Sequence, residues 1–240
     1  MRKLLLLSNS TLHGSGFLEY AREYIQEFFN KNGVKQVLFV PYADTTSEAN
    51  YTTKVRNELS KWGFTVKGLN ETSDPIDAVN NAECIFIGGG NTFHLLKKLQ
   101  DAQLLEAIRK RVLTDGIPYM GSSAGTNVAT VSICTTNDMP IVHCKSFDAI
   151  GLLPFNINPH FIETKEDSTH MGETREDRIN EYHSLPMKMP PVLGLREGSF
   201  LHVMGDQATL GGLFPARLFL QGQDPKEYPT GSDLSFLLSN

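Results

Sequence analysis

The first 130 residues alternate between short apolar runs and longer amphipathic stretches. Apolar runs typical of buried strands lie at residues 3–7, 37–40, 64–69, 84–87 and 117–120. The stretches between them place apolar residues at i, i+3, i+4 and i+7, which is typical of helices that cover a core. Strands joined through helices form parallel sheets with right-handed crossovers. The pattern therefore predicts an α/β fold, a sandwich with helices on both faces of a mainly parallel sheet.

The second half of the chain is less regular. Residues 135–161 mix apolar segments with prolines and predict short strands, while residues 173–182 predict a helix that Thr174 can cap. Residues 223–240 are rich in turn formers. Further strands are predicted at residues 192–195, 200–204 and 218–220. Because no repeat or linker divides the chain, we expect one domain over residues 1–240.

The composition is that of an ordinary globular protein, with 40% hydrophobic and 20% charged residues. The 22 Lys and Arg against 27 Asp and Glu give a net charge of -5. This balance argues against nucleic-acid binding, which needs clustered positive charge. The apolar run Leu4–Leu7 is too short for a signal peptide or for a membrane span of about 20 residues. We therefore expect a cytoplasmic protein that does not bind membranes.

The cysteines do not predict a disulfide framework or a zinc site. Cys84, Cys134 and Cys144 are an odd number and form no CxxC pair. We expect reduced thiols, no metal and no other cofactor.

A Gly-x-Ser-x-Gly motif at residues 121–125 is the strongest local signal for chemistry. It follows the apolar run 117–120 and precedes a stretch compatible with a helix. In that context small residues let the chain turn sharply, so that Ser123 projects at the carboxyl end of the sheet as a nucleophile. The structural alternative is a tight turn in which the serine only caps the helix.

A glycine run, Gly88–Gly90, also follows a strand and opens a helix. Such a run lets main-chain N–H groups approach an anion closely. Since the run lacks the lysine of a P-loop, nucleotide binding is a weak interpretation. With Ser123 on a neighbouring strand, the N–H groups of Gly90 and Ala124 could form an oxyanion hole. The alternative is a glycine turn needed only for chain reversal.

A catalytic serine needs a base and an orienting acid. Pro159 restricts the backbone before His160, at the end of an apolar run, and this rigid setting favours His160 as the base. Asp138, in a polar turn, and Glu197, at a strand end, could each accept a proton from the imidazole Nδ1. The competing histidines are His13, His94, His143, His170, His183 and His202.

These residues resemble the peptidase E family of α-aspartyl dipeptidases, which are serine peptidases. The matching segments keep the family order and span nearly the whole chain, weakening after about residue 213. They are residues 4–11 (LLLLSNST), 88–93 (GGGNTF), 121–129 (GSSAGTNVA), 135–142 (TTNDMPIV), 156–161 (NINPHF) and 172–178 (GETREDR).

The resemblance implies a fold similar to class I glutamine amidotransferases, a three-layer sandwich around a mainly parallel sheet. It implies hydrolysis of Asp-Xaa dipeptides that carry a free N-terminal aspartate. On the family pattern Ser123 is the nucleophile, His160 the base and Asp138 the third member of the triad. Glu197 matches a competing candidate for that third role.

The family pattern also implies how the substrate is held. Gly90 and Ala124 would supply the oxyanion N–H groups, and Arg175 would bind the aspartyl carboxylate of a small dipeptide. If Arg175 were structural, Lys165 or Arg178 would be the next cation to consider. The protein would act as a monomer or a homodimer.

Other functions are compatible with parts of the pattern. A cyanophycinase-like hydrolase of β-Asp-Arg material would keep the fold and change the substrate. A glutaminase would need cysteine at position 123, where this chain has serine. A non-enzymatic module that binds a small anion through the glycine run remains a third reading, because fold alone does not imply function.

Overall fold

The structure is a computed structural model that describes residues 1–163 and 172–239. Within these residues the strands are β1 (Lys3–Leu7), β2 (Gln36–Val40), β3 (Thr65–Gly68), β4 (Ile85–Ile87), β5 (Tyr119–Ser122), β6 (Asn156–Phe161), β7 (Val192–Arg196), β8 (Ser199–Met204), β9 (Gln207–Gly212), β10 (Ala216–Phe219) and β11 (Lys226–Tyr228).

The α-helices of the described residues are short. They are α1 (Arg22–Lys31), α2 (Glu48–Ser60), α3 (Pro75–Asn80), α4 (Thr92–Asp101), α5 (Leu104–Leu113), α6 (Ala124–Asn127) and α7 (Arg175–His183). Short 3-10 helices lie at Glu19–Ala21, Leu69–Glu71 and Ser235–Ser239. In the part of the chain that the structure describes, no helix has the length and apolar character needed to cross a bilayer.

A seven-stranded sheet with the order β3-β2-β4-β5-β1-β8-β9 forms the centre of the fold. Its first five strands are parallel, and β8 and β9 extend it in antiparallel fashion. The predicted α/β fold around a mainly parallel sheet is confirmed. The carboxyl ends of the five parallel strands lie at the same end of the sheet. Open sheets of this kind bind their ligands there.

The run of four leucines in β1 shows why a central strand is apolar throughout. Leu4 and Leu6 are buried in the core on one face of the sheet, and Leu5 and Leu7 in the core on the other. Successive side chains of a strand point to opposite faces, so a strand that is covered on both faces needs apolar residues at every position.

A second, four-stranded sheet with the order β11-β10-β7-β6 shares a core with the large sheet. Ile157 of β6 and Leu193 of β7 lie in the same buried cluster as Leu4 and as Leu95 of α4. Strands β6 and β7 are parallel, whereas β10 and β11 are added antiparallel. One face of the large sheet is therefore covered by helices and by a further sheet.

The expectation of several short strands in residues 135–161 was wrong, because only β6 forms there among named strands. Side chains bind the backbone of this segment instead. The N–H of Asp138 donates to Thr136 Oγ1 at 3.2 Å, and Asn158 Nδ2 donates to the carbonyl of Thr135 at 2.7 Å. Such bonds offer the backbone an alternative to a strand ladder.

The C-terminal segment, for which the sequence predicts no regular element, packs onto the core. Leu234 and Leu237 are fully buried, and the N–H of Leu234 donates to the carbonyl of Ala208 in β9 at 2.8 Å. The segment therefore belongs to the folded unit.

The close approach of α6 to β4 makes Gly125 a testable contact. A Cβ at this position would overlap the carbonyl group of Ile87. We expect Gly125→Ala to lower the free energy of unfolding by about 1–3 kcal/mol or more, since backbone on both sides must shift. Urea unfolding measures this change. The matched control is Gly16→Ala, whose Cβ would meet the exposed side chain of Glu19 and no backbone atom among its nearest neighbours. An equal effect of both substitutions would contradict the steric explanation.

Candidate active site

Ser123 occupies the sharp turn between β5 and α6, with φ 54° and ψ -111°. A residue other than glycine rarely adopts such angles, and it persists only where its surroundings hold it. The Ser123 N–H donates to the carbonyl of Leu7 at 3.1 Å, and its carbonyl accepts the N–H groups of Thr126 and Asn127 at 2.9 Å. A Cβ at Gly121 would lie 2.6 Å from the Gly125 carbonyl oxygen, which explains the glycines of the motif.

His160 lies on a bulge of β6. Pro159 pairs with Leu195 and Phe161 with Arg196, so His160 is an extra residue without a partner in β7. Its φ of 53° is in the left-handed region. A bulge of this kind changes the direction of a side chain.

Ser8, at the end of β1, holds that bulge. Its buried hydroxyl oxygen accepts the main-chain N–H of His160 at 2.8 Å and donates to the carbonyl of Leu195 at 2.7 Å. The sequence reasoning missed Ser8. Ser8 is the first polar residue after a buried strand and lies at the carboxyl end of that strand, where ligands bind. This position could have indicated a role in the site.

The imidazole of His160 links a serine and a carboxylate. Its Nε2 lies 2.9 Å from Ser123 Oγ, and its Nδ1 lies 2.5 Å from Glu197 Oε1. In the matching tautomer Nδ1–H donates to the carboxylate and Nε2 accepts the serine O–H. The side chains of His160 and Glu197 are 39% and 49% exposed, so solvent and substrate reach them. This is the arrangement that acyl transfer by an activated serine requires.

Glu197 reaches the imidazole through strand pairing. It follows β7 directly, and β7 is parallel to β6, which carries His160. The next residue, Gly198, has φ 83°, and its N–H donates to Asn9 Oδ1 at 2.9 Å. The turn at residues 197–198 is therefore fixed, and with it the carboxylate.

Asp138, the family-based expectation for the third member, is not placed against His160. Its Oδ2 accepts the main-chain N–H of Thr92, the first residue of α4, at 2.7 Å. Nearby, Asn91 Nδ2 donates to the carbonyl of Met139 at 2.9 Å. The free N–H groups at a helix start attract carboxylates, which gives a physical reason for the position of Asp138.

The two expected oxyanion donors are main-chain N–H groups for which no described residue is an acceptor. The N–H groups of Gly90 and Ala124 donate to none of these residues. Those of Gly88 and Gly89 are occupied by the carbonyl of Val40 at 3.2 Å and the hydroxyl of Tyr51 at 3.0 Å. Burial raises the pKa of Tyr51 to about 12, so this hydroxyl stays neutral.

The glycine loop lies directly against the serine. A Cβ at Gly89 would be 3.1 Å from Ser123 Cβ. Gly90 has φ 137°, and a Cβ there would overlap the carbonyl group of Ala43. Position 90 therefore requires glycine, a side chain at position 89 would press on Ser123, and the loop lies beside the Ser123 turn.

Arg175 is the first residue of α7, after the capping residue Thr174. Within residues 1–163 and 172–239 it forms no ion pair, and its buried Nε has no hydrogen-bond partner. Burial and the positive charge of Arg178 lower the pKa of Arg175, while the charge of Asp138 raises it. The half-buried guanidinium thus lacks a direct counter-ion among the described groups. Lys165 and His170 lie outside the described residues.

The surface alternative for Arg175 was a pair with Glu176 or Asp177. Glu176 instead lies 3.0 Å from Arg217. Asp177 accepts the N–H and hydroxyl of Thr174 at 2.9 and 2.8 Å, closing a capping box. Neither carboxylate is therefore paired with Arg175.

A cavity of about 930 Å³ opens beside Glu197. Its wall carries acidic residues that are neutralised by neighbouring arginines. Glu163 lies 2.6 Å from Arg196, which also lies 2.9 Å from Glu227. Both arginines of this wall are therefore already engaged by carboxylates and are not free to bind a substrate carboxylate.

Two of the competing histidines make different contacts. His202 lies edge-on to Phe28, with ring centroids 5.8 Å apart, and burial lowers its pKa. His183 Nε2 lies 3.0 Å from the carbonyl of Pro190. In the described ranges no three His, Cys, Asp or Glu residues are grouped as metal ligands would be.

Comparison with known proteins identifies the family of this chain. Residues 4–211 match the family described as Peptidase family S51. The chain is 50% identical over 240 residues to a Drosophila melanogaster protein named "Probable alpha-aspartyl dipeptidase", covering 99% of this chain and 98% of that one. It is 50% identical to "Peptidase E" of Streptomyces coelicolor, covering 98% and 94% of the two chains.

A solved structure shares the fold. The crystal structure of a peptidase from an acI-B1 Actinobacterium superposes with a TM-score of 0.72 at 20% identity, over 98% of this chain and 97% of that one. The family resemblance seen in the motifs is thus confirmed by a match over most of the chain. The chain belongs to peptidase family S51 and is a peptidase.

Proposed function

We propose that this peptidase hydrolyses Asp-Xaa dipeptides with a free N-terminal aspartate, through an acyl-enzyme on Ser123. The observation that carries the proposal is the hydrogen-bonded chain from Ser123 Oγ through His160 to Glu197. The name of the Drosophila relative, an alpha-aspartyl dipeptidase, supports the substrate class.

The reaction follows from the positions of these groups. His160 Nε2 takes the Ser123 proton as Oγ attacks the carbonyl carbon of the scissile bond. The N–H groups of Gly90 and Ala124 stabilise the oxyanion, a contribution worth about 10²–10³ in rate for each donor. The imidazolium then gives its proton to the leaving amine. His160 then takes a proton from a water molecule, which attacks the ester of the acyl-enzyme. Aspartate is released and Ser123 regains its proton.

Glu197 keeps the imidazole in the productive tautomer and stabilises the imidazolium that forms during attack. Among the described residues, Asp138 forms no hydrogen bond with the imidazole of His160, whereas Glu197 does. We therefore assign the orienting role to Glu197. The expectation for Asp138 came from the family pattern and from its polar turn.

Arg175 is the group that would select aspartate. A guanidinium binds a carboxylate through two parallel hydrogen bonds. Its Nε has no partner among the described residues, so a substrate carboxylate would supply the missing counter-ion. A site that must pair a buried charge rejects substrates without that charge.

Activity on a short substrate panel tests the proposed function. We expect hydrolysis of Asp-Leu, and little or none of Glu-Leu, Asn-Leu and N-acetyl-Asp-Leu. Ser123→Ala is the control for contaminating peptidases and should lose about 10⁴–10⁶ of the rate. Preferred cleavage of β-Asp-Arg material would point to the cyanophycinase-like alternative. Absence of any hydrolysis would favour an anion-binding module.

The orienting acid can be identified without a substrate. Modification of Ser123 by a small sulfonyl fluoride depends on the serine, its base and the orientation of that base. We expect Glu197→Gln to slow this modification by about 10²–10⁴, because the imidazole loses its carboxylate. Asp138→Asn should leave the rate within a few-fold. The reverse order would return the orienting role to Asp138.

Arg175→Met should lower kcat/KM for Asp-Leu by about 10²–10³, the scale of a lost charge-assisted pair. The melting temperature should not fall, because the half-buried charge has no ion pair to lose among the described residues. Arg178→Met is the matched control, since Arg178 is exposed and lies 3.6 Å from Glu173. Unchanged kinetics with a large fall in melting temperature would show that Arg175 is structural.

A further inference from the structure

Asp138 has a fixed carboxylate with one oxygen to spare. Its Oδ2 is held by the Thr92 N–H at 2.7 Å, and its own N–H donates to Thr136 Oγ1 at 3.2 Å. Its Oδ1 accepts no hydrogen bond from a described residue. The hydrogen bond to Thr92 uses only part of what this carboxylate can bind.

The loop that carries Asp138 is braced on both sides of the candidate site. On one side Asn91, next to the oxyanion loop, donates to the carbonyl of Met139 at 2.9 Å. On the other side Asn137 Nδ2 donates to the carbonyl of Pro159, directly before the base, at 2.7 Å. Asp138 therefore sits between the oxyanion loop and the strand that carries His160.

The other carboxylates on the Glu197 side already have partners, and Asp177 among them is held by the N–H and hydroxyl of Thr174. Glu163, Glu176 and Glu227 contact Arg196 or Arg217, Glu173 contacts Arg178, and Glu197 contacts His160. Asp138 has no such cation among the described residues. The negative charge of Asp138 nevertheless raises the pKa of Arg175, so the two groups interact electrostatically without forming an ion pair.

The proposed substrate presents two opposite charges at one end. Its N-terminal aspartate carries a β-carboxylate and an α-ammonium group, which are only a few bonds apart. Removing an ammonium group from water without a negative partner is costly. A site that binds the β-carboxylate through Arg175 therefore needs a carboxylate close by for the amine.

We propose that Asp138 receives the α-ammonium group of the substrate through its free Oδ1, and so sets the requirement for a free N-terminus. The inference rests on the proposed function and names a further part of the same site. The α-amine is attached next to the scissile carbonyl, whose oxygen the Gly90 N–H would hold. Asp138 accepts the N–H of Thr92, two residues after Gly90, so its carboxylate lies on the same side of the site as the oxyanion loop.

The test compares Asp-Leu with succinyl-Leu, which is the same molecule without the α-amine. We expect the wild-type protein to prefer Asp-Leu in kcat/KM by about 10- to 100-fold or more, the range for a hydrogen bond between charged groups. In Asp138→Asn this preference should largely disappear through a loss on Asp-Leu alone. Asparagine keeps the shape and an oxygen that accepts the Thr92 N–H.

Slow turnover of the analogue does not limit the test. Binding of both compounds to Ser123→Ala protein, with and without Asp138→Asn, should give the same pattern by calorimetry. A third compound, malyl-Leu, replaces the amine by a hydroxyl and needs no variant at position 138. If wild-type protein cleaves malyl-Leu as fast as Asp-Leu, no group recognises the ammonium charge and the inference is wrong.

Asp44→Asn is the matched control. Asp44 lines a pocket of about 370 Å³ together with Gly89 and Gly90, and its Oδ1 accepts the Thr46 N–H at 2.8 Å. We expect this variant to keep the wild-type preference. Collapse of the preference in Asp44→Asn would transfer the role to Asp44 and overturn the inference.

Two further outcomes separate the inference from the proposed function. An equal loss on both compounds in Asp138→Asn would show that Asp138 only holds the oxyanion loop, and would overturn the inference. Failure of wild-type protein to hydrolyse Asp-Leu would instead refute the proposed function.

Discussion

The buried hydroxyl of Ser8 joins two sheets at the place where the candidate site forms. It accepts the N–H of His160 and donates to the carbonyl of Leu195. Ser123 follows the carboxyl end of β5 in the large sheet, whereas His160 lies on β6 in the small sheet. The 2.9 Å contact between them therefore depends on how the sheets are held together. A misplacement of about 1 Å can cost 10²-fold in rate, so a buried contact of this kind is functionally important.

The turn at residues 197–198 makes the same connection through the chain itself. It leads from β7 in the small sheet to β8 in the large sheet. Glu197 lies at this crossing, next to the bulge that turns His160 out of register. Bulges and left-handed residues are costly in a strand, and they are common beside active sites, where they redirect a side chain. Strain at both Ser123 and His160 fits this pattern.

The charges around the site are distributed unevenly. Glu163, Glu173 and Glu176 are paired with arginines, whereas Arg175 and Asp138 have no ion partner among the described residues. A half-buried charge without a counter-ion is costly to the folded state, and such groups are typical of sites that bind a charged ligand. An aspartyl residue with a free amine carries the two complementary charges.

Much of the fold and of the candidate site follows from local sequence. The alternation of apolar runs with helical patterns predicts the parallel sheet, because each pattern reports burial of its own segment. The Gly-x-Ser-x-Gly turn, the Gly88–Gly90 loop and the Thr174 cap are each formed by consecutive residues, so their backbone geometry is encoded where they stand. Pro159 similarly marks His160. Of the short strands expected in residues 135–161 only β6 forms, since side-chain hydrogen bonds take the place of a ladder before it.

Which acid contacts His160 was decided only by the tertiary structure. Asp138 and Glu197 both follow polar or strand-end patterns, and their distance along the chain says nothing about pairing between strands. The parallel alignment of β6 with β7 brings Glu197 to the imidazole, while the free N–H of Thr92 attracts Asp138. Local sequence determines the conformation of a turn or a strand. Contacts between such elements depend on the packing of the whole core.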